Sequence, residues 1–334
     1  MSGPAAPVRL LVASRTDVGR VRPGNEDSLL VVDDLALVAV ADGMGGHQAG
    51  EVASAMAIES LQVGVEQGAS IADAITAANT AVVTRAAGDL DLRGMGTTLT
   101  AGILDGATLV IGHVGDSRLY LLRDGTLTQV TTDHSVVAEL IAAGELTEAE
   151  ALVDPRRAMI TRALGIEPTV QVDVLELGLT PGDRLLLCSD GLTTMVRDPA
   201  IAEILASETD RERAASELVE AANLAGGADN ITVVVADVVA DDSLDEGTDP
   251  VDAEAVAAVA GVAAGELFED TDEVPAVADD PPAPPVADAA PGDDPVDAEV
   301  ADPELEELRA AVEATEEDEP STPRRRWWQR RKRA

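Results

Sequence analysis

The amino-acid sequence predicts an α+β fold with antiparallel strands. The pairs Asp105-Gly106 and Asp124-Gly125 each stand between two short β-rich runs, which is a strong signal for a β-hairpin. The helical segments are grouped before and between the strands, and they do not alternate with them one by one. Such grouping favours an α+β fold over a doubly wound parallel sheet.

The strands and helices are predicted in order along the first 240 residues. Short runs of β-branched and other apolar residues predict strands at 8–13, 28–32, 35–41, 97–104, 108–114, 118–123, 127–130, 170–177, 184–188 and 231–239. Apolar positions at helical spacing predict helices at 47–67, 71–87, 199–206 and 210–224. The four runs between 97 and 130 suggest one antiparallel meander. Residues 133–165 are interpreted as a polar, helical insertion with Ser135 at a helix start.

The composition changes abruptly after residue 240. Residues 241–320 contain 28 acidic residues and one basic residue, whereas 321–334 contain seven basic residues and no acidic ones. A segment with high charge and low hydrophobicity cannot bury enough apolar surface to offset the entropy of folding. We therefore expect a folded domain over 1–240, a disordered acidic linker over 241–320 and a basic, Trp-containing C-terminus over 321–334.

The charge and the cysteine content exclude some classes of protein. A net charge of −40 argues against nucleic-acid binding, which needs a positive surface. Cys188 is the only cysteine, so no intramolecular disulfide can form and an intracellular location is favoured. We expect its thiol to be buried and unreactive. The N-terminus does not resemble a secretory signal, and the sequence predicts a cytoplasmic monomer.

Four aspartates share one sequence context, at the end of a predicted strand and beside glycine or another small residue. They are Asp42, Asp116, Asp190 and Asp229. Small neighbours let the backbone approach a ligand closely. Converging carboxylates repel each other unless a cation neutralises them, and such hard oxygen ligands suit Mg²⁺ or Mn²⁺. An ordinary Asp-Gly turn is the simpler interpretation for any single position, but the set of four favours a metal site.

A second polar segment, residues 19–27, contains Arg20 and Arg22. An arginine near a metal site can bind phosphate through two parallel hydrogen bonds. A surface turn with exposed arginines explains this segment equally well when it is taken alone.

Six short motifs occur in order between residues 9 and 240. They are Arg22 with Asn25-Glu26-Asp27, then Ala41-Asp42-Gly43-Met44-Gly45-Gly46-His47, Gly94-Met95-Gly96-Thr97-Thr98, His113-Val114-Gly115-Asp116-Ser117-Arg118, Leu187-Cys188-Ser189-Asp190-Gly191 and Ala228-Asp229-Asn230-Ile231-Thr232. In these motifs the chain resembles the metal-dependent, type 2C class of protein phosphatases in their bacterial form. Six ordered motifs are far more specific than a single glycine-rich loop.

The resemblance implies two antiparallel sheets sandwiched between helix pairs, with residues 133–165 as a flap over the substrate groove. It also implies hydrolysis of phosphoserine and phosphothreonine esters by a water activated at a site of two or three Mn²⁺ or Mg²⁺ ions. The partners would be phosphorylated proteins, including the substrates of serine/threonine kinases and the kinases themselves.

The resemblance assigns metal ligands residue by residue. Asp42 would bridge two ions, and the Gly43 carbonyl would be a further ligand. Asp190 and Asp229 would bind the second ion. Asp116, together with Asp190, resembles the additional metal site of bacterial members.

Other roles follow from the same resemblance. Arg22 resembles the phosphate-binding arginine, and Glu26 resembles a residue that holds metal-bound water. Many eukaryotic relatives have histidine directly after the Asp-Gly pair, whereas this chain has Met44. His47 is more simply a helix-start residue, so the general acid stays open between a side chain and water.

Two alternatives to a broad phosphatase are a non-catalytic phosphoprotein-binding pseudophosphatase and a narrow regulator that dephosphorylates a single partner. The intact set of aspartates argues against the pseudophosphatase. The basic C-terminus, 321–334, suits weak contact with an anionic membrane surface, docking on the chain's own acidic surface, or a solvated terminus.

Overall fold

The computed structural model describes residues 7–45 and 49–241. Two antiparallel sheets pack face to face, and helices cover the outer face of each sheet. This confirms the predicted α+β class and the sandwich of two sheets between helix pairs. The predictions made for the acidic linker, for the basic C-terminus and for His47 lie outside the described residues.

The elements are numbered in chain order. The strands are β1 (Val8–Asp17), β2 (Asp27–Val32), β3 (Leu37–Met44), β4 (Gly96–Thr97), β5 (Leu99–Asp105), β6 (Thr108–Val114), β7 (Arg118–Arg123), β8 (Thr126–Gln129), β9 (Asp173–Gly178), β10 (Arg184–Cys188) and β11 (Ile231–Ala240). The helices are α1 (Ala49–Glu66), α2 (Ile71–Gly88), α3 (Val136–Ala142), α4 (Glu148–Ala151), α5 (Asp190–Thr193), α6 (Asp198–Ser207) and α7 (Arg211–Leu224).

The first sheet has the strand order β1-β11-β10-β7-β8, and the second has the order β2-β3-β5-β6-β9, with β4 paired to the end of β3. The first and last strands of the domain are neighbours. They pair over ten residues, from Val8 opposite Ala240 to Asp17 opposite Ile231.

The central strands are buried on both faces. In β3, Ala39 and Ala41 face α1 and α2, whereas Val38 and Val40 face the other sheet. Full burial on two sides explains why this strand is a continuous apolar run and does not alternate with polar residues. Each fully buried Val or Leu side chain contributes about 1.5–3 kcal/mol through removal from water.

The first sheet has the same construction. Val233 and Val235 of β11 pack against α6 and α7, and Val234 between them packs in the layer between the sheets. Cys188 at the end of β10 is fully buried, and burial raises the pKa of its thiol to about 12. The expectation of a buried thiol is therefore confirmed.

Residues 97–130 do not form one meander, so that prediction was wrong. β5 pairs with β6 and β7 pairs with β8, but the two hairpins belong to different sheets. The chain crosses between the sheets at Gly115, whose φ of +112° favours glycine, and a Cβ there would lie 2.5 Å from the Thr98 side chain. Local turn chemistry identifies a hairpin, but it does not say which sheet the hairpin joins.

The insertion at 133–165 is only partly helical. It contains α3 and α4, joined and followed by turns. Ser135 begins α3 as expected, since its Oγ accepts a hydrogen bond from the Ala138 N–H at 3.3 Å. The segment returns to the sandwich at Leu164, which exchanges two backbone hydrogen bonds with Thr97.

Several predicted boundaries shift. β1 extends to Asp17, and β9 begins only at Asp173. β3 begins at Leu37 because Asp33–Leu35 form a single 3₁₀ turn that ends at Ala36, with φ of 46°. In the part of the chain that the structure describes, the helices are too short or too polar to cross a membrane.

Candidate metal centre

One end of the sandwich gathers strand ends from both sheets. Asp42 lies near the end of β3. Asp190 is separated from the end of β10 by Ser189, and Asp229 is separated from the start of β11 by Asn230. Asp116 lies where the chain crosses from β6 to β7. The other three carboxyl groups lie close enough to that of Asp42 to repel it electrostatically. The structure therefore brings together all four predicted aspartates.

In the pairs Asp42-Gly43 and Asp190-Gly191, another backbone segment packs closely against the glycine. Gly43 continues β3, and a Cβ on it would lie 2.2 Å from the carbonyl oxygen of Gly50 in α1. A Cβ on Gly191 would lie 1.8 Å from the carbonyl oxygen of Asn230. Any side chain at either position would push these segments apart, so the ordinary-turn interpretation does not apply to them. The glycines let neighbouring backbone close tightly around the aspartates.

Threonine and serine hydroxyls fix the backbone of Asp42. Its N–H donates to Thr98 Oγ1 at 2.9 Å, and its carbonyl accepts from Thr97 Oγ1 at 2.9 Å. Thr98 Oγ1 is also hydrogen-bonded to Ser117 Oγ at 2.8 Å. Ser117 follows Asp116 in the chain. This bridge therefore holds the two acidic positions in a fixed relation, although they come from different parts of the sequence.

Asp27 also belongs to the cluster, although its position in the sequence predicted no role for it. It begins β2 directly opposite Asp42 in the β2–β3 ladder. Its Oδ2 accepts a hydrogen bond from Ser189 Oγ at 2.7 Å, and its buried Oδ1 has no hydrogen-bond partner among the described residues. Burial raises its pKa to about 7, and the neighbouring acid Asp190 adds to this. The sequence signal that could have identified Asp27 is an aspartate at the first position of an apolar strand.

The same physical causes act on the other acids. Burial raises the pKa of Asp42, and repulsion from its acidic neighbours raises it further. Burial and the charge of Asp190 raise the pKa of Asp116 to about 7. Part of each residue still reaches solvent, so the cleft is open, but the carboxyl groups lie deep among protein atoms. A bound divalent cation would offset both the burial and the repulsion.

The donor set fits hard divalent ions. In residues 7–45 and 49–241, no three acidic, histidine or cysteine side chains surround one point closely enough to hold an ion alone. Mg²⁺ usually takes only one or two carboxylates and completes its coordination with water and substrate phosphate. Carboxylates and the Gly43 carbonyl are oxygen ligands of this kind. The residues therefore suit ions that keep part of their hydration, and they do not form a closed cage.

Arg22 and Glu26 lie at the edge of the cluster. Arg22 follows β1 and donates from Nη2 to Asp229 Oδ2 at 2.8 Å, and this hydrogen bond raises the pKa of Arg22. Burial raises the pKa of Glu26, and the charge of Arg22 acts in the opposite direction. The Glu26 carboxylate lies against α1, since a Cβ on Gly50 would be 2.6 Å from its Oε2. Both residues are thus placed beside the aspartates.

Many eukaryotic relatives have histidine directly after the Asp-Gly pair of β3. The two histidines that the structure describes, His113 and His134, lie elsewhere. Met44 occupies that position and lines a cavity of about 460 Å³. His134 lies behind Gly115, whose N–H donates to His134 Nδ1 at 3.0 Å. His113 is fully buried, with its ring nitrogens bonded to Thr100 Oγ1 and a backbone carbonyl.

The sequence is similar to that of known phosphatases. Residues 23–225 match the family model described as protein phosphatase 2C. The serine/threonine phosphatase stp of Listeria monocytogenes is 43% identical over 234 residues, which cover 66% of this chain and 93% of that protein. The serine/threonine protein phosphatase PstP of Mycobacterium tuberculosis is 46% identical over 239 residues, which cover 69% of this chain and 45% of PstP.

Solved structures agree with the sequence comparison. The crystal structure of M. tuberculosis PstP superposes with a TM-score of 0.64 at 43% identity, covering 68% of this chain and 98% of that chain. The PstP catalytic domain in complex with two manganese ions gives the same TM-score and identity and covers 70% of this chain and 99% of that chain. The similarity therefore spans the whole sandwich.

Proposed function

Because this chain belongs to the protein phosphatase 2C family and is a metal-dependent protein serine/threonine phosphatase, we propose that the aspartate cluster is its catalytic metal centre. The observation that carries the proposal is the convergence of four strand-end aspartates, with Asp116, Asp190 and Asp229 gathered around Asp42. Burying several mutually repelling carboxyls opposes folding. A protein that only bound phosphoproteins would gain nothing from this arrangement, which argues against the pseudophosphatase alternative.

The proposed ligands are those that the sequence motifs indicate. Asp42 would be shared between two ions, the Gly43 carbonyl would be a further ligand, and Asp190 and Asp229 would bind the second ion. Asp116 would serve an additional ion with Asp190. The two manganese ions in the PstP catalytic domain support a site of at least two ions, with Mn²⁺ or Mg²⁺ as the metal. When bound, such ions supply positive charge to the phosphoryl oxygens and acidify water.

The chain's own residues bind and orient the substrate. Arg22 is about half exposed and lies at the open side of the cluster, so its guanidinium can turn from Asp229 to a phosphate oxygen. Charge on that oxygen grows in the transition state, and a positioned guanidinium stabilises it there. The unpartnered Oδ1 of Asp27 is placed to accept a hydrogen bond from water, and Glu26 would hold water at the cluster edge.

The leaving serine or threonine oxygen needs a proton. Met44 cannot donate one. Of the two histidines that the structure describes, His113 is buried with Nδ1 bonded to Thr100 Oγ1, and His134 Nδ1 accepts from the Gly115 N–H. We therefore propose water as the proton source. This mechanism needs no side-chain acid at the position that histidine occupies in eukaryotic relatives.

The proposed substrates are phosphorylated proteins in the cytoplasm, including kinase substrates and serine/threonine kinases. The names of the relatives support this substrate class, and a single buried cysteine suits a reducing compartment.

Turnover by the purified full chain tests the proposal. We expect hydrolysis of p-nitrophenyl phosphate and of a phosphothreonine peptide with Mn²⁺ or Mg²⁺, loss of both activities with EDTA, and recovery when Mn²⁺ is restored. A chain that binds phosphopeptides but releases no phosphate with either ion would contradict the proposed function.

A further inference from the structure

A cavity of about 460 Å³ lies between the end of β3 and the segment that leaves the flap. Its apolar lining comes from Met44, Ile160, Ala163, Ile166 and Val170. Polar residues complete the wall, namely Thr161, Arg162, Glu167, Thr169 and Gln171. Small binding pockets combine apolar side chains with polar groups that fix the orientation of the ligand.

The pocket is attached rigidly to the metal centre. Met44 directly follows Gly43 and pairs with Gly96 of β4. The next residue of β4, Thr97, pairs with Leu164 of the flap segment. Ile166 packs over Gly96, where a Cβ would lie only 2.8 Å from Ile166 Cδ1. One backbone ladder therefore fixes the pocket wall relative to the aspartates.

Exposed apolar side chains recur along residues 152–166, a segment that ends in the pocket wall. Met159 and Ile166, which lie within eight residues of each other, are each 54% exposed. The flap segment also exposes Leu152 and Val153. Ile166 belongs to the pocket wall, so exposed apolar surface of the kind that marks binding sites is available there.

The charges around the pocket exclude a second phosphate as its ligand. Arg162 is the basic residue in the lining, and it is already bonded to Asp173 Oδ1 at 2.6 Å. Glu167 adds a carboxylate to the wall. A phosphate would therefore meet a neutralised arginine and a negative charge, whereas an apolar group would meet Met44 and Ile166.

We propose that this pocket binds an apolar side chain of the phosphoprotein substrate, close in sequence to the phosphorylated residue. The proposal rests on the proposed function of the neighbouring aspartate cluster. An extended peptide advances about 3.3 Å per residue. Because Met44 is adjacent to Gly43, a peptide whose phosphate lies at the cluster and whose chain runs past Met44 reaches the pocket within a few residues. The pocket therefore determines which sequences around the phosphorylated residue are dephosphorylated fastest.

The test is a panel of phosphothreonine peptides with alanine at the flanking positions. Leucine replaces alanine at one position at a time, over four positions on each side, and kcat/KM is measured by phosphate release. At one or two positions we expect leucine to raise kcat/KM about tenfold, mainly through a lower KM, which is the size of effect that an apolar pocket gives.

Two variants link that preference to the pocket. Ile166→Ser removes apolar wall, and Ala163→Leu narrows the space, so each should reduce the leucine-to-alanine ratio to below about twofold. The matched control is Leu224→Ser at the end of α7, which changes a side chain that is 81% exposed and remote from the lining, and should keep the tenfold ratio. Thermal melting checks that each variant is folded.

The outcomes separate this proposal from the proposed function. If the native chain hydrolyses p-nitrophenyl phosphate and the alanine peptide but shows no leucine preference, the pocket assignment is wrong and the phosphatase centre stands. Survival of the preference in both pocket variants leads to the same conclusion. If no substrate is hydrolysed, the proposed function and this inference are both wrong.

Discussion

The guanidinium of Arg22 donates a hydrogen bond from Nη2 to Oδ2 of Asp229 across 2.8 Å, and so joins segments that are 207 residues apart. Arg22 is the proposed phosphate-binding residue, and Asp229 is a proposed metal ligand. Their side chains are 49% and 33% exposed, and an ion pair of this kind adds little to stability. We propose that the pair acts in binding, since a cation at Asp229 would weaken its hydrogen bond to Arg22 and so free the guanidinium for phosphate.

Arg22→Ala should impair catalysis without unfolding the domain. We expect kcat/KM for a phosphothreonine peptide to fall about 100-fold, because a guanidinium that stabilises transition-state charge is lost. The melting temperature should change little, since the exposed pair contributes about 0–1 kcal/mol. Arg22→Lys should recover only part of the activity because an ammonium lacks the planar fork. Full activity of Arg22→Ala would contradict the phosphate-binding role.

Asp42→Ala and Asp229→Ala should each nearly abolish turnover, with losses of at least about 1,000-fold at saturating Mn²⁺. The fold should survive because each substitution also removes one of several repelling carboxyls. In EDTA the melting temperatures should therefore equal or exceed that of the native chain. Asp34→Ala, at an exposed acid outside the cluster, is the matched control. Retained activity in either cluster variant would exclude that residue as a ligand.

Asp27→Asn should weaken metal activation more than it weakens the fold. The amide keeps the shape of the side chain but removes a charge beside Asp42. Residues that support metal ligands typically change metal affinity or activity by 10–100-fold when altered, and we expect an effect of about that size. The measurement is the Mn²⁺ concentration for half-maximal turnover. An unchanged Mn²⁺ requirement would show that Asp27 has only a structural role.

His113 should make the domain sensitive to acid. Burial, followed by the charge of His134, lowers the pKa of His113 to about 4, below the 6.5 of an exposed histidine. Asp133 and Asp173 act in the opposite direction. Above pH 6.5 the histidine is neutral in both states and has no effect. Between pH 6.5 and about 4, the unfolded chain takes up the proton first, so stability falls by about 1 kcal/mol per pH unit.

Urea unfolding of the native chain and of His113→Gln, at pH 5, 6 and 7.5, measures this contribution. The difference in unfolding free energy between the two chains should shrink as the pH falls, because glutamine has no proton to bind. The acidic cluster titrates in both chains, so its effect cancels in the comparison. A difference that is independent of pH would contradict the assignment.

A chain truncated after Ala240 should fold and retain full turnover of p-nitrophenyl phosphate. The six motifs and the last described strand lie within residues 1–240. Circular dichroism and kcat/KM, compared with the full chain, check the domain boundary. An insoluble or inactive product would mean that later residues belong to the catalytic domain.

The sequence predicted which aspartates come together better than it predicted how the strands around them pair. Asp42 and Asp190 were identifiable because each follows a long apolar run and precedes glycine, a local pattern. Asp27 was missed because its role depends on its partner across the ladder, Asp42, and pairing between strands is not a local property. The separation of β6 from β7 was missed for the same reason. The pocket at Ile166 is formed largely by residues 160–171, whose sequence has little periodicity. Only the three-dimensional structure therefore reveals it.

The pairing of β1 with β11 has a consequence for how the enzyme matures during synthesis. These strands are the first and last of the domain, and their ten-residue ladder cannot form until the final strand has been made. Contacts between such distant parts of a chain form slowly, because a large loop must close first. The same event brings Asp229 to Arg22. A nascent chain therefore lacks both this ladder and the contact between Arg22 and Asp229 until translation passes β11.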